Sequence, residues 1–172
     1  MKRIVTLLGL ATITALAFVI FTRAFNPAFA ADTLPKNLIG TWSLVSLTYD
    51  EDGKTTEPYG PNPKGIITFG SDGRFVTIIT DPRVPKFASG KRTDGTAEEN
   101  KAAVRGSVAY FGTYTANEAD KTWTVSIEAS MFPNWNGLSQ ARHYSINGDE
   151  LVITNEKSSS GYPVRVVWRR VQ

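Results

Sequence analysis

The chain has 172 residues, a formal net charge of +3 and no cysteine, so it offers neither a disulfide framework nor a thiolate metal site. Residues 1–30 carry three basic side chains and no acid, which leaves residues 31–172 with 19 − 3 = 16 basic side chains against 16 acidic ones. Because affinity for a phosphate backbone needs clustered positive charge, this balance argues against a nucleic-acid-binding protein.

Residues 1–30 have the pattern of a secretory signal peptide. A short basic start precedes a long apolar run, and Ala28-Phe29-Ala30 then supplies an A-x-A cleavage site. The alternative is an uncleaved membrane anchor, because the apolar run is close to the ~18 residues that a membrane span needs. The pattern favours cleavage after Ala30 and export to a bacterial periplasm or beyond. It predicts a mature domain over residues 31–172 without stable membrane insertion.

Eight short segments rich in β-branched and aromatic residues predict β-strands. They cover residues 41–50, 65–69, 74–80, 110–117, 122–131, 140–146, 150–155 and 162–171. Tight turns such as Gly70-Ser71-Asp72-Gly73 separate them, which is typical of hairpins. Such strands predict an antiparallel meander that closes into a barrel or a sandwich, since closure removes exposed edges. The interior of an eight-stranded barrel is filled by side chains or holds one small ligand.

One helix is predicted between the third and fourth of these strands. Thr96 and Glu99 have the spacing of a capping box, and the residues that follow are strong helix formers. We expect a short helix over about residues 96–109 that packs on the barrel through its few apolar residues, Val104 among them. The preceding residues 81–95 lack periodicity and are either disordered or lie over a barrel mouth.

The most unusual stretch is the hairpin 122–146, whose loop is aromatic and whose strands carry Glu128 and Arg142. If the numbers of paired residues add to 270, Glu128 faces Arg142, either inside the barrel or in an ordinary exterior salt bridge. A sum of 271 instead joins the two apolar faces and sends Glu128 outward, opposite His143. The alternation of side chains does not decide between these registers.

An interior position would make this hairpin part of a site for a small, largely apolar molecule. The candidate ligand-binding residues are Glu128, Arg142, Tyr144, Gln140, Phe132, Trp135 and Phe111. In an enzymatic alternative, a cyclase or isomerase, Glu128 acts as general acid or base and Arg142 stabilises developing negative charge. A further alternative is a packed barrel that serves as a structural or protein-interaction module. His143 is the only histidine, so neither a metal site nor a cofactor is predicted.

Gly40-Thr41-Trp42, at the start of the first strand, resembles the G-x-W signature of lipocalins and related calycin barrels. The resemblance implies that Trp42 closes one end of the barrel and that Arg170, or less favourably Arg169, stacks across it. Over residues 38–171 the chain resembles the bacterial and fungal lipocalin-like domain family. The similar stretches are LIGTWSLVS, GIITFGSDGRF, FASG, TAEENKAAVRG, SIEASMFPNWNG and QARHY. This implies an all-β, eight-stranded, antiparallel up-and-down barrel with one inserted helix and a pocket for a small molecule.

Overall fold

The computed structural model describes residues 34–172, and the predicted signal peptide lies outside the described residues. In the described part, no helix is long and apolar enough to cross a membrane. The strands are β1 (Gly40–Glu51), β2 (Lys54–Thr56), β3 (Lys64–Phe69), β4 (Arg74–Thr80), β5 (Ser107–Asn117), β6 (Thr122–Ser130), β7 (Ser139–Asn147), β8 (Glu150–Asn155) and β9 (Val164–Arg170). Helix α1 (Ala97–Arg105) lies between β4 and β5.

Eight of these strands form a closed antiparallel barrel in the order β1-β3-β4-β5-β6-β7-β8-β9. The barrel closes because β9 also pairs with β1, from Trp42 opposite Arg170 to Tyr49 opposite Val164. Strand β2 is a short addition that folds back on the end of β1 and is not part of the wall. The predicted all-β, eight-stranded up-and-down barrel is therefore confirmed.

Because successive strands run in opposite directions, their connections alternate between the two ends of the barrel. The connections at one end are short and those at the other end are longer. Short turns lie at one end, here called the closed end, and comprise residues 70–73, 118–121 and 148–149. Longer connections lie at the other end, here called the open end, and comprise residues 52–63, 81–106, 131–138 and 156–163. Long connections are where binding sites are most often built, because they can vary without disturbing the strands.

The closed end is sealed by Trp42, which is completely buried. Its indole Nε1 donates a hydrogen bond to the Leu38 carbonyl at 2.9 Å. The guanidinium carbon of Arg170 lies 4.0 Å from the centre of the Trp42 ring, and Arg170 Nη1 donates to the Ile39 carbonyl at 3.0 Å. Arg169 points to solvent, so Arg170 is the arginine that stacks on this tryptophan.

Helix α1 begins as the sequence predicts. The Glu99 amide donates to Thr96 Oγ1 at 3.2 Å, and the Thr96 amide donates to Glu99 Oε2 at 2.8 Å, which completes the capping box. The helix ends at Arg105 rather than near residue 109, because β5 begins at Ser107 and pairs with β4. The expected packing through Val104 is wrong, since this side chain is 68% exposed and no residue of α1 is buried.

Candidate functional site

A cavity of about 520 Å³ occupies the interior of the barrel toward its open end. Cavities of roughly 300–1,000 Å³ hold single small molecules in other proteins. The wall is mostly aliphatic and aromatic, and its aromatic members are Tyr49, Tyr59, Tyr110, Trp123, Trp135 and Trp168. The barrel interior is therefore open rather than filled, which argues against the packed interior of the third alternative.

Strands β6 and β7 pair in a register that neither prediction anticipated. Trp123 lies opposite Arg142, so the numbers of paired residues add to 265 rather than to 270 or 271. An odd sum joins the apolar face of β6 to the face of β7 that carries Arg142 and Gln140. Both of these polar side chains therefore lie on the cavity side of the wall, and both line the cavity.

The difference in register arises from the connection 131–138. The Ile127 amide donates to the Leu138 carbonyl, and the Gly137 amide donates to the Ile127 carbonyl, both at 2.9 Å. Strand β7 thus leaves β6 near Ile127, and the last residues of β6 pair with β5 alone. A turn of 3₁₀-helix at Pro133–Trp135 fills the longer loop that results.

Glu128 is on the outside of the barrel and does not pair with Arg142, so the outward orientation expected for a sum of 271 is confirmed, although the register itself differs. It is the extra residue at an irregularity where Phe111 pairs with Ala129 and Gly112 pairs with Ile127. Glu128 Oε2 accepts a hydrogen bond from Arg74 Nη2 at 2.8 Å, and both side chains are about half exposed. Glu128 therefore forms an ordinary exterior salt bridge, but with Arg74 instead of Arg142.

Glycine is required at this irregularity. A Cβ atom at position 112 would lie 1.9 Å from the Ser126 carbonyl oxygen, far inside van der Waals contact. Gly112 therefore permits the close approach of β5 and β6 beside the inserted residue Glu128. Bulges of this kind bend a strand and change the direction of the side chains beside them.

Arg142 is the central polar residue of the cavity wall, and only 9% of its surface is exposed. Its Nη1 donates to the Tyr110 hydroxyl at 2.7 Å, and its Nη2 donates to Gln140 Oε1. The guanidinium carbon lies 5.5 Å from the centre of the Tyr110 ring and 5.7 Å from that of Trp123. Within residues 34–172, no carboxylate forms an ion pair with Arg142. A buried positive charge is thus held by neutral groups alone.

Three further residues of the cavity wall carry buried polar atoms that lack a hydrogen-bond partner within the described residues. These atoms are Thr77 Oγ1, Trp123 Nε1 and Trp168 Nε1. An unpaired buried donor or acceptor costs about 1–3 kcal/mol, so such atoms are natural contacts for a ligand. Sequence reasoning missed Thr77, although a threonine between the inward-facing Phe75 and Ile79 is a readable sign of a polar position in a cavity wall.

The structure separates the candidate residues into two groups. Arg142, Gln140 and Trp135 line the cavity, and the Trp135 ring packs edge-on against Tyr110 with centres 5.2 Å apart. The remaining four candidates do not line it, and they are Glu128, Tyr144, Phe132 and Phe111.

Each of the aromatic residues outside the cavity has its own environment. Phe111 is 41% exposed on the outer surface. Phe132 is half exposed and packs edge-on against the Trp135 ring at 5.6 Å, so it supports the rim indirectly. Tyr144 is buried in the core, where burial, and secondarily the charge of Glu118, raises the pKa of its hydroxyl.

Residues of the connection 156–163 line the cavity at the open end of the barrel. Ala141, His143 and Thr154 touch the cavity from the outer face of β7 and β8, beside this connection. None of residues 81–106 lines it, so this long connection does not cover the mouth. Among the residues that the structure describes, no three His, Asp or Glu side chains cluster as a metal site would require.

Comparison with known proteins agrees with this architecture. Residues 39–171 match the family described as Lipocalin-like domain. The chain is also 31% identical over 103 residues to the 4'-hydroxy-3'-methoxypropiophenone carrier protein ppsC of Aspergillus oryzae. That alignment covers 54% of this chain and 93% of the fungal protein. The resemblance seen in the sequence is confirmed, and the chain belongs to the lipocalin-like domain family.

Proposed function

We propose that this protein binds and carries one small, largely apolar, aromatic molecule inside its barrel. The observation that carries the proposal is the cavity of about 520 Å³, whose mostly aromatic and aliphatic wall surrounds a few polar groups. This combination is typical of sites that hold a flat apolar ligand and orient it with a small number of hydrogen bonds.

The fungal relative supports the same class of ligand. Its name describes the carriage of 4'-hydroxy-3'-methoxypropiophenone, a single aromatic ring that bears a ketone and two further oxygen atoms. In this chain the rings of Tyr110, Trp123 and Trp135 would contact a ligand ring, and Arg142 would donate to one of its oxygens. Ring contacts of this kind add about 0.5–1.5 kcal/mol each to the burial of apolar surface.

The enzymatic alternative loses its general acid or base. Glu128 lies on the outer surface in an ion pair with Arg74, and the cavity does not reach it. The only carboxylate among the cavity-lining residues is Glu156, which is exposed at the rim. The geometry therefore favours binding over a reaction that uses Glu128 and Arg142 together.

Calorimetric titration with aryl ketones, including 4'-hydroxy-3'-methoxypropiophenone, tests carriage directly. Ile79→Trp should abolish binding, because Ile79 is buried and lines the cavity, and the larger ring would fill it. Ile78→Trp is the matched control, since this neighbouring side chain is 42% exposed and does not line the cavity. Equal binding by the two variants, or no binding by the unmodified protein, would contradict the proposal.

We also propose that the carrier acts outside the cytoplasm of a bacterium, in the periplasm or beyond. The support is the sequence pattern of residues 1–30, with its basic start, apolar run and A-x-A site. Expression of the full chain in a bacterium, followed by mass measurement of the periplasmic protein, should show a chain that begins at Ala31. Retention of residues 1–30 in a membrane fraction would favour the anchor instead.

A further inference from the structure

We propose that the cavity selects the anionic form of an aromatic acid, and that Arg142 determines this selectivity. The inference rests on the proposed function, and it adds the charge of the ligand, which neither the family nor the cavity volume specifies. The argument starts from the hydrogen-bonding capacity of the wall.

The unsatisfied polar atoms of the wall are donors. The Arg142 guanidinium has five N–H groups and no acceptor, and two of its nitrogens already donate to Tyr110 and Gln140. Because the Tyr110 hydroxyl accepts from Arg142, its own O–H remains available to donate. The indole nitrogens of Trp123 and Trp168 can only donate.

Thr77 is compatible with the same pattern. Its unpaired hydroxyl can act as either donor or acceptor, so it can also donate to a ligand. A ligand group that only accepts hydrogen bonds therefore satisfies this wall better than a group that also donates.

The donors are close neighbours, so one ligand group can meet several of them. Thr77 lies opposite Tyr110 across β4 and β5, and Trp123 lies opposite Arg142 across β6 and β7. The guanidinium of Arg142 joins the two pairs, since it bonds the Tyr110 hydroxyl and lies over both aromatic rings. We call Thr77, Tyr110, Trp123 and Arg142 the donor cluster.

The charge of the wall favours the same kind of ligand. Arg142 is the one charged side chain that is buried in the described part of the chain. Besides the uncharged tyrosines Tyr49, Tyr59 and Tyr110, the other charged or titratable groups that line the cavity are His143, Glu156 and Lys157, and these three are exposed at its mouth. The positive charge inside therefore has no counter-charge of its own, and a buried charge without one is strongly unfavourable. A ligand anion would supply the counter-charge and form charge-assisted hydrogen bonds.

The test compares an acid with its uncharged isostere. The probes are 4-methoxycinnamate and 4-methoxycinnamamide, which have the same ring, length and planarity but differ in charge and in the donors that the amide carries. Calorimetric titration of the purified protein at neutral pH should show the carboxylate bound about 10-fold more tightly, the usual advantage of a charge-assisted over a neutral hydrogen bond.

Variants assign this preference to the donor cluster. Arg142→Met should abolish the preference for the acid while the amide still binds, and Arg142→Lys should retain part of it because the charge remains. Tyr110→Phe should weaken binding of the acid several-fold, because it removes one donor of the cluster. This variant tests the donor cluster independently if Arg142→Met fails to fold. Arg74→Gln is the control, since Arg74 is exposed on the outer wall and should leave both affinities unchanged.

A second comparison distinguishes the two sources of an aromatic anion, a carboxylic acid and an acidic phenol. The probes are 4'-hydroxy-3'-methoxypropiophenone and its 4'-methyl ether, titrated below and above the pKa of the phenol. A phenolate ligand should bind more tightly once ionised, whereas the ether should not respond. Should the phenol bind more weakly on ionisation, the proposal of anion selectivity is overturned.

The outcomes separate this inference from the proposed function. Equal or tighter binding of the amide by the unmodified protein would overturn the selectivity and leave carriage of a small molecule intact. Persistence of the preference in Arg142→Met would overturn the assignment of the selectivity to Arg142. Failure of all four probes to bind would count against both proposals.

Discussion

Two arginines lie against aromatic rings in this barrel, one at the closed end and one in the cavity wall, and they differ in the groups that bond their nitrogen atoms. At the closed end, Arg170 stacks 4.0 Å from the centre of the Trp42 ring and donates to the carbonyls of Ile39 and Asn37. It also lies 3.8 Å from the carboxylate of Asp149. The protein itself therefore supplies Arg170 with a counter-charge and with hydrogen-bond acceptors.

In the cavity wall, Arg142 has no counter-charge from any residue that the structure describes. Its partners are the neutral side chains of Tyr110 and Gln140, and it lies beside a cavity rather than against a seal. The same stacking of a cation on aromatic rings thus has two uses in one barrel. Where the protein supplies the counter-charge, the arginine stabilises the fold, and where it does not, the arginine is available to a ligand.

The largest effect is expected from removing the aromatic seal. Trp42→Ala should lower the free energy of unfolding by about 3–5 kcal/mol, because a completely buried tryptophan is replaced by a cavity. Trp135→Ala at the open end should cost only about 1–2 kcal/mol, since this ring is partly exposed, but it should weaken ligand binding. Urea denaturation measures both losses. Equal losses would show that the two ends do not differ in structural role.

The two arginines give the most direct comparison. Arg170→Met should lower the free energy of unfolding by about 1–3 kcal/mol, through loss of the stacking and of the bonds to backbone carbonyls. Arg142→Met, measured without ligand, should leave this free energy unchanged or raise it, because it removes a buried charge that has no counter-charge. The same denaturation experiment applies to both variants. A similar loss in both would contradict the division between a structural and a ligand-binding arginine.

The stability of the protein at alkaline pH depends on the buried tyrosine Tyr114 at the closed end. Burial, and secondarily the charge of Asp72, raises the pKa of Tyr114 to about 12 from its usual 10.0. The folded state therefore keeps this proton where the unfolded chain releases it. The associated stability is complete below about pH 10 and is lost as the pH rises toward about 12. Tyr114→Phe should flatten this decline in unfolding free energy, measured by denaturation at several pH values, and an unchanged slope would contradict the assignment.

The smallest effect is expected on the outer wall. Glu128→Gln should change the free energy of unfolding by less than about 0.5 kcal/mol, because its ion pair with Arg74 is exposed. Ligand affinity should not change, since the cavity does not reach Glu128. Arg74→Gln should behave in the same way as a matched variant. A large loss of binding in Glu128→Gln alone would revive a role for this carboxylate in the site.

Much of the fold could be predicted because its signals are local. The capping box at Thr96 depends on residues three apart, and the tight turn at 70–73 depends on the backbone freedom of glycine and aspartate. The predicted strands agree with the observed ones to within a few residues at each end. The end of α1 was less predictable, because β5 competes for the residues after Gly106 by pairing with β4.

The candidate site was predictable only in part, for a physical reason that the hairpin 122–146 illustrates. Alternation with period two places Arg142 and Gln140 on one face of β7, and the sequence by itself determines this. Which residues of β6 they meet depends on where β7 leaves the ladder, and that is decided by the hydrogen bonds of Ile127.

Only the tertiary structure could decide the partner of Glu128. Its ion pair with Arg74 on β4 joins residues 54 positions apart in the sequence, and it depends on the order of the strands around the barrel. The sequence by itself determined the family, the barrel and the identity of the arginine that seals its closed end. Closure of the barrel decided that Arg142 would face a cavity whose wall has no buried carboxylate among the described residues, because that depends on side chains from every strand of the wall.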